Sequence, residues 1–164
     1  MLVLRFATLL AIAVWIGGLL ALGAIAAPAI FDIVAARGIA DGRILSGAIF
    51  GEALRRFHLV AYGCGVLILL ALFTRAVLGP RPRHFALRFA LATIMLGAAL
   101  YSGLVVSQQI AAVQKEIGPG VAVSSLPESD PRRAAFGRLH GISTLVQLVP
   151  LIGGMVLMAL ELEN

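Results

Sequence analysis

Polar and hydrophobic positions along this chain do not alternate. The hydrophobic ones gather into four runs without Asp, Glu, Lys or Arg: residues 6–31, 57–74, 89–114 and 139–160. Every charge falls between these runs, the segregation expected when a charge at the bilayer centre costs at least about 2.5–3.5 kcal/mol. A helix crosses the hydrocarbon with about 20 apolar residues, so each run can span once. A transmembrane barrel would show segments of about ten residues alternating in polarity, and these runs are continuous. The pattern predicts an all-α integral membrane protein, a four-helix up-down bundle forming a single domain over residues 1–164. Arg5, the apolar stretch after it and Ala24-Ile25-Ala26 imitate a cleaved signal peptide. We expect residues 6–31 to be kept as a span.

Helix punctuation agrees with the runs. Asp41 is placed to cap a helix from about Gly42 to Leu78, which Gly79-Pro80 stops. Pro82 can open the next helix, and Gly118-Pro119 ends it. Asp130 and Pro131 read as N-cap and first position of the last helix. The first helix should end near Arg37-Gly38, with Pro28 available to kink it. Residues 118–131, rich in Pro, Gly and Ser, form the one substantial loop. A helix over residues 42–78 would be about 55 Å long, against a hydrocarbon thickness near 30 Å. Its first half, residues 42–56, mixes Arg43, Glu52, Arg55 and Arg56 with Ile44, Leu45, Ile49 and Phe50, so it should protrude or lie at the interface. The two hairpins are of similar size, a hint of duplication.

Composition strengthens the membrane reading and narrows the chemistry. The chain is 60% hydrophobic and 13% charged, with a mean hydropathy of +1.01. Soluble domains average about 45–50% apolar and about 25% charged, so one core cannot absorb this excess. A single cysteine, Cys64, excludes a disulfide scaffold and a zinc ribbon and reads as a small buried residue. The net charge of +5 calls for nothing beyond anionic lipid headgroups, and no soluble basic face is present for nucleic acid. The turn GPRPRH, flanked by Arg75 and Arg88, has four arginines and no acid, which favours an inner-membrane protein with both termini cytoplasmic. The longer connections on the opposite side carry more basic residues in total. One lysine beside twelve arginines suggests a bacterial source.

Lipid tails are as apolar as leucine, so transmembrane helices associate by close approach and by hydrogen bonds. Ala13, Gly17 and Ala21 on the first helix, and Ala99, Gly103, Ser107 and Ala111 on the third, are placed to form such seams. The same faces could support a homo-oligomer. Trp15 lies midway along its run, where its indole N–H needs a partner inside the bundle. Met95, Met155 and Met158 read as apolar filling, with soft Cu(I) ligation as the functional alternative.

Up-down threading starts the second and fourth helices on the same side, which levels His58 with His140. Gln108 and Gln109 reach that end on the third helix and Asp32 on the first. Tyr62, Ser143 and Gln147 lie within one or two turns of the histidines, and Glu52 can pair with Arg56 at i, i+4. One reading places these residues among lipid headgroups, where they are cheap. A second makes them a site: His58 and His140 as neutral metal or axial haem ligands, with Glu52, Arg56, Tyr62, Gln108, Ser143 and Gln147 binding a ligand around them. A third is a hydrated transport mouth, although no charge lies deeper to continue a path. Signatures of phosphate-binding loops, zinc proteases and serine hydrolases are absent from the sequence, so catalysis has no positive support.

Several motifs together resemble the transmembrane protein 205-like family, a four-helix membrane domain of unknown function. They are Trp15-Ile16-Gly17-Gly18-Leu19-Leu20, Ala27-Pro28 with Phe31, Gly42-Arg43-Ile44, Ile49-Phe50, Phe57-His58 and Phe136-Gly137-Arg138-Leu139-His140-Gly141-Ile142-Ser143. The resemblance implies four helices and suggests transport, trafficking or metal handling, since a eukaryotic relative is associated with platinum-drug resistance. More distantly the chain looks like small membrane proteins of the copper-resistance and protoporphyrinogen-oxidase type, which use intramembrane histidines. The resulting expectation is non-enzymatic binding or transport of a small ligand or metal at the histidine cluster. A haem b or transition-metal redox enzyme and a structural scaffold are the alternatives.

Overall fold

A computed structural model of the chain describes residues 2–39 and 41–163. Four long helices carry the four apolar runs: α1 Leu2–Ala36, α2 Gly42–Leu78, α3 Phe85–Ile117 and α4 Pro131–Leu162. No strand occurs among the described residues. Consecutive helices pack side by side and α4 closes against α1, so α2 and α4 stand diagonally across the bundle. Large apolar side chains such as Leu10, Val66, Leu70, Phe73, Ile94, Leu145 and Ile152 point outward. This inversion of a soluble protein's surface is what lipid requires, and it identifies a multi-pass membrane protein.

The helix ends follow local chemistry, with two departures from the sequence reading. Asp130 caps α4 as expected: its carboxylate accepts the Arg132 N–H at 2.8 Å, with Pro131 next in the chain. Gly118, at φ +98°, ends α3, and Gly38, at φ +60°, follows the end of α1. Asp41 flanks α2 but does not cap it with its side chain. It sits in the left-handed region at φ 59°, and its carbonyl accepts the N–H groups of Ile44 and Leu45. Pro82 does not open α3. The helix starts at Phe85, after His84 takes a left-handed turn at φ 54°.

Two helices contain a wide turn. In α1 it covers Ala21–Ala26, just before Pro28, and the Ala27 N–H reaches the Leu22 carbonyl five residues back. Proline lacks an N–H and crowds the carbonyl four residues earlier, and the π turn adjusts the register there. The second π turn, Tyr101–Val106 in α3, has no proline. The first half of α2 continues as unbroken helix, paired with the second half of α1, where Val34 and Ser46 are buried. The four helices are about 48–55 Å long, so the protrusion expected of α2 is shared around the bundle.

Ile12, Trp15 and Ile16 of α1, Ala61, Ile68 and Leu72 of α2, Ala92 and Met95 of α3 and Leu157 of α4 make the core. The seam read off four-residue spacing fails on α1 and holds in part on α3, where Ala99 is in the core and Gly103 meets α2, while Ala111 is exposed. Ala13, Gly17 and Ala21 face outward, and a Cβ on Gly17 would meet nothing within 4 Å. Close approach occurs at Gly18, where a Cβ would collide with the Phe57 ring, and, on the seam expected of α3, at Gly103, where it would collide with Tyr62 Oη and lie 3.0 Å from His58 Cγ.

Candidate functional site

The two histidines neither meet nor stand level: His58 lines a cavity with Val146, Gln147 and Pro150 of α4, six to ten residues past His140 and so about 9–15 Å further along that helix. His58 turns into the bundle with 6% of its surface exposed and lies 6.0 Å, centroid to centroid, from the Tyr62 ring. His140 is exposed and stacks on Phe136 at 6.2 Å with planes 4° apart. On α4 it is Leu139, one residue earlier, that takes the buried position. Successive residues of a helix differ by about 100° in direction, so counting from the end of a run does not give a facing.

The remaining members of the predicted cluster divide in the same way. Gln108 is exposed. Glu52 bonds Arg55 through both oxygens at 2.7 and 2.8 Å and Arg56 at 2.7 Å, an exposed group on the protruding half of α2. Ser143 is buried and Gln147 half-buried. A porphyrin held inside the bundle by both histidines would therefore find only one of them, His58, facing inward. Among the described residues no group of three His, Cys, Asp or Glu side chains could hold a metal ion. Met95 is in the core while Met155 is exposed, so the methionines do not converge on a copper site.

His58 instead joins a different set of groups. It lines a small cavity with Trp15 and Leu19 of α1, Phe57 and Ala61 of α2, Ala98, Ala99 and Ser102 of α3, and Val146, Gln147 and Pro150 of α4. All four helices contribute, and the space is about that of one water molecule. Ser102 is 1% exposed, and its Oγ has no hydrogen-bond partner among the described residues. It belongs to the π turn of α3, whose Ser102 carbonyl accepts both the N–H and the hydroxyl of Ser107. On the adjoining α4 wall Pro150 has no N–H to give to the Val146 carbonyl one turn back. The indole of Trp15 is buried as expected, but it finds no hydrogen-bond partner among the described residues. The cavity thus has an apolar body with a few polar groups and room for about one water.

A second polar centre lies at the other end of the bundle, and the sequence reading passed over it. Glu161 is fully buried between two arginines. Arg75 Nη1 donates to both its carboxylate oxygens at 3.0 and 2.8 Å, and Arg88 Nη1 donates at 2.8 Å. Arg88 Nη2 also reaches the Leu160 carbonyl, and Arg5 donates to the Glu161 carbonyl at 2.6 Å. The last turn of α4, with its orphan carbonyls and negative dipole end, is therefore held by arginines from all three other helices. A signal for it exists in the sequence. Arg75, Arg88 and Glu161 each abut a charge-free run at the same end, so the levelling argument that paired the histidines applies equally to them. Between the two centres the interior is filled by Ile12, Ile68, Leu72, Met95 and Leu157.

No curated protein and no solved structure matches the chain. Nothing connects it to the transmembrane protein 205-like family that its motifs resemble. Residues 10–119, well over half the chain and covering nearly all of α1 to α3, match the model of a domain of unknown function, and on that match the chain belongs to the DUF4149 family.

Proposed function

We propose that this multi-pass membrane protein is a non-enzymatic binding protein whose central cavity receives the polar head of a small, largely apolar molecule. One observation carries the reading: the Ser102 hydroxyl is buried without a partner beside His58 and Gln147, in a cavity that all four helices touch. A buried hydroxyl without a hydrogen bond costs about 1–3 kcal/mol, a cost that a bound water or ligand head would remove. Ser102 can donate or accept, and the imidazole and amide add further capacity, so the fitting head is a hydroxyl or carbonyl. Leu19, Phe57 and Val146 at the rim are half-buried, so an apolar tail leaving the cavity would meet lipid. The π turn of α3 and Pro150 of α4 lie on two of the walls and give the backbone places to widen. The arginine-rich turn between α2 and α3 supports an orientation in an inner membrane with that end in the cytoplasm.

The test is thermal unfolding in detergent, read by the fluorescence of Trp15, the single tryptophan. The probe is 1-decanol, with decane as control. Decanol at about 100 times its Kd should stabilise the wild type by about 2.7 kcal/mol, which in a domain of this size raises Tm by about 5–11 °C. Ser102→Ala and His58→Phe should lose that response. Equal shifts with decane, or unchanged shifts in both variants, would defeat the proposal.

A further inference from the structure

The end opposite the loop carries Arg5, Arg75, Arg81, Arg83 and Arg88 against Glu161 and Glu163 among the described residues. Glu161 is spent inside the bundle on two of these arginines. Its two partners do not use their hydrogen-bonding capacity alike. Arg75 meets the carboxylate through Nη1 alone, so its Nη2 and Nε have no partner among the described residues, and neither atom is among the fully buried ones. Arg5 behaves similarly: its Nη2 serves the Glu161 and Leu162 carbonyls, at 2.6 and 3.4 Å, and its other nitrogens are left over. Arg75 is tied to the Glu161 carboxylate and Arg5 to its backbone carbonyl, so both guanidinium groups stand at the same last turn of α4. Their positions are fixed by a buried anion and a helix end, and their spare N–H groups have nothing to bond. Arg81 and Arg83 stand exposed nearby on the turn, Arg81 lying 5.7 Å from the Phe85 ring centroid.

We propose that this end binds the phosphate of an anionic phospholipid, with Arg5 and Arg75 as its direct ligands and Arg81 and Arg83 as an outer rim. Guanidinium matches phosphate geometry and needs little reorganisation when its side chain is already held. The apolar side chains exposed beside the cluster, Phe6, Phe73, Val77 and Leu87, face acyl chains, so the phosphate that arrives at this level is a lipid headgroup. The excess of positive charge selects an anionic headgroup over a zwitterionic one. This site is separate from the central cavity and stands or falls independently of it.

Native mass spectrometry of the full chain, purified in detergent, tests the proposal by titration with phosphatidylglycerol and phosphatidylcholine of identical acyl chains. One phosphatidylglycerol per chain should be retained in preference to phosphatidylcholine. Arg5→Gln should weaken that binding about fivefold, which corresponds to the roughly 1 kcal/mol contributed by each basic residue at a membrane surface, and Arg81→Gln with Arg83→Gln should add to the loss. None of these substitutions touches the Glu161 carboxylate, and unchanged Trp15 fluorescence checks that the fold is intact. Arg55→Gln, at the other end, should leave retention unchanged. Equal retention of the two lipids, or equal weakening by Arg55→Gln, would overturn the site. Displacement of the lipid by millimolar inorganic phosphate would reassign it to a free anion and overturn the lipid proposal.

Discussion

Replacing Glu161 by glutamine leaves the shape of the arginine centre in place and removes the charge at its middle. The side chains of Arg75 and Arg88 are 9% and 1% exposed: Arg88 cannot turn to water, and Arg75 reaches outside only with the N–H groups it already leaves unused, so neither replaces its lost partner. Each pair is worth about 4 kcal/mol at an effective dielectric of about 20 and about 4 Å between charges, and this gain is set against the desolvation of three ions. Breaking such a group by removing one member typically costs about 3–5 kcal/mol, because the remaining charges stay buried. In a domain of this size that corresponds to a fall in Tm of about 6–20 °C. Trp15 is buried in the core that α4 helps to close, so its fluorescence reports helix separation during a thermal scan in detergent. The triple variant Arg75→Met, Arg88→Met, Glu161→Met removes all three charges together and should recover most of the loss. A Glu161→Gln protein within about 1 kcal/mol of wild type would refute the reasoning. So would a triple variant no more stable than the single one.

Three further outcomes follow from particular contacts. Gly103→Ala should destabilise by about 1–3 kcal/mol, since its Cβ collides with Tyr62 Oη, and adding Tyr62→Phe should restore part of the loss; Gly17→Ala, with open space around it, should stay near wild type in the same scan. Ser102→Ala should leave stability unchanged or raise it by up to about 2 kcal/mol, because it deletes an unpaired buried hydroxyl; a clear loss would mean that the hydroxyl is already bonded in the resting protein. The Arg132 side chain and N–H hold the Asp130 carboxyl at about 2, below its ordinary value of 3.8. A depressed folded-state value means that the cap contributes above about pH 4 and is lost as pH falls through about 2, so amide exchange at the start of α4 should quicken over that window. Asp130→Asn, which cannot ionise, should show no such pH dependence.

The four spans, their order and most of their ends were legible in the sequence, because a membrane penalises charge and unpaired backbone so heavily that composition alone marks what must be helical and buried in lipid. Asp130-Pro131 and Gly118 worked as local signals because a cap involves only its own neighbours in the chain. Depth was legible in part: counting residues from a membrane face places Arg75 and Arg88 level with Glu161, which they bond, but it pairs His58 with His140, whereas His58 packs at the level of Val146, Gln147 and Pro150. Rotation was not. In a segment apolar all round, no amphipathic stripe tells which side meets protein and which meets lipid. For that reason His140 and Ala13-Gly17-Ala21 turned out to face outward, while Ser102, Gln147 and Glu161 faced in. Those facings were decided only when α4 closed the ring against α1, because the inward direction of each helix depends on where its neighbours stand.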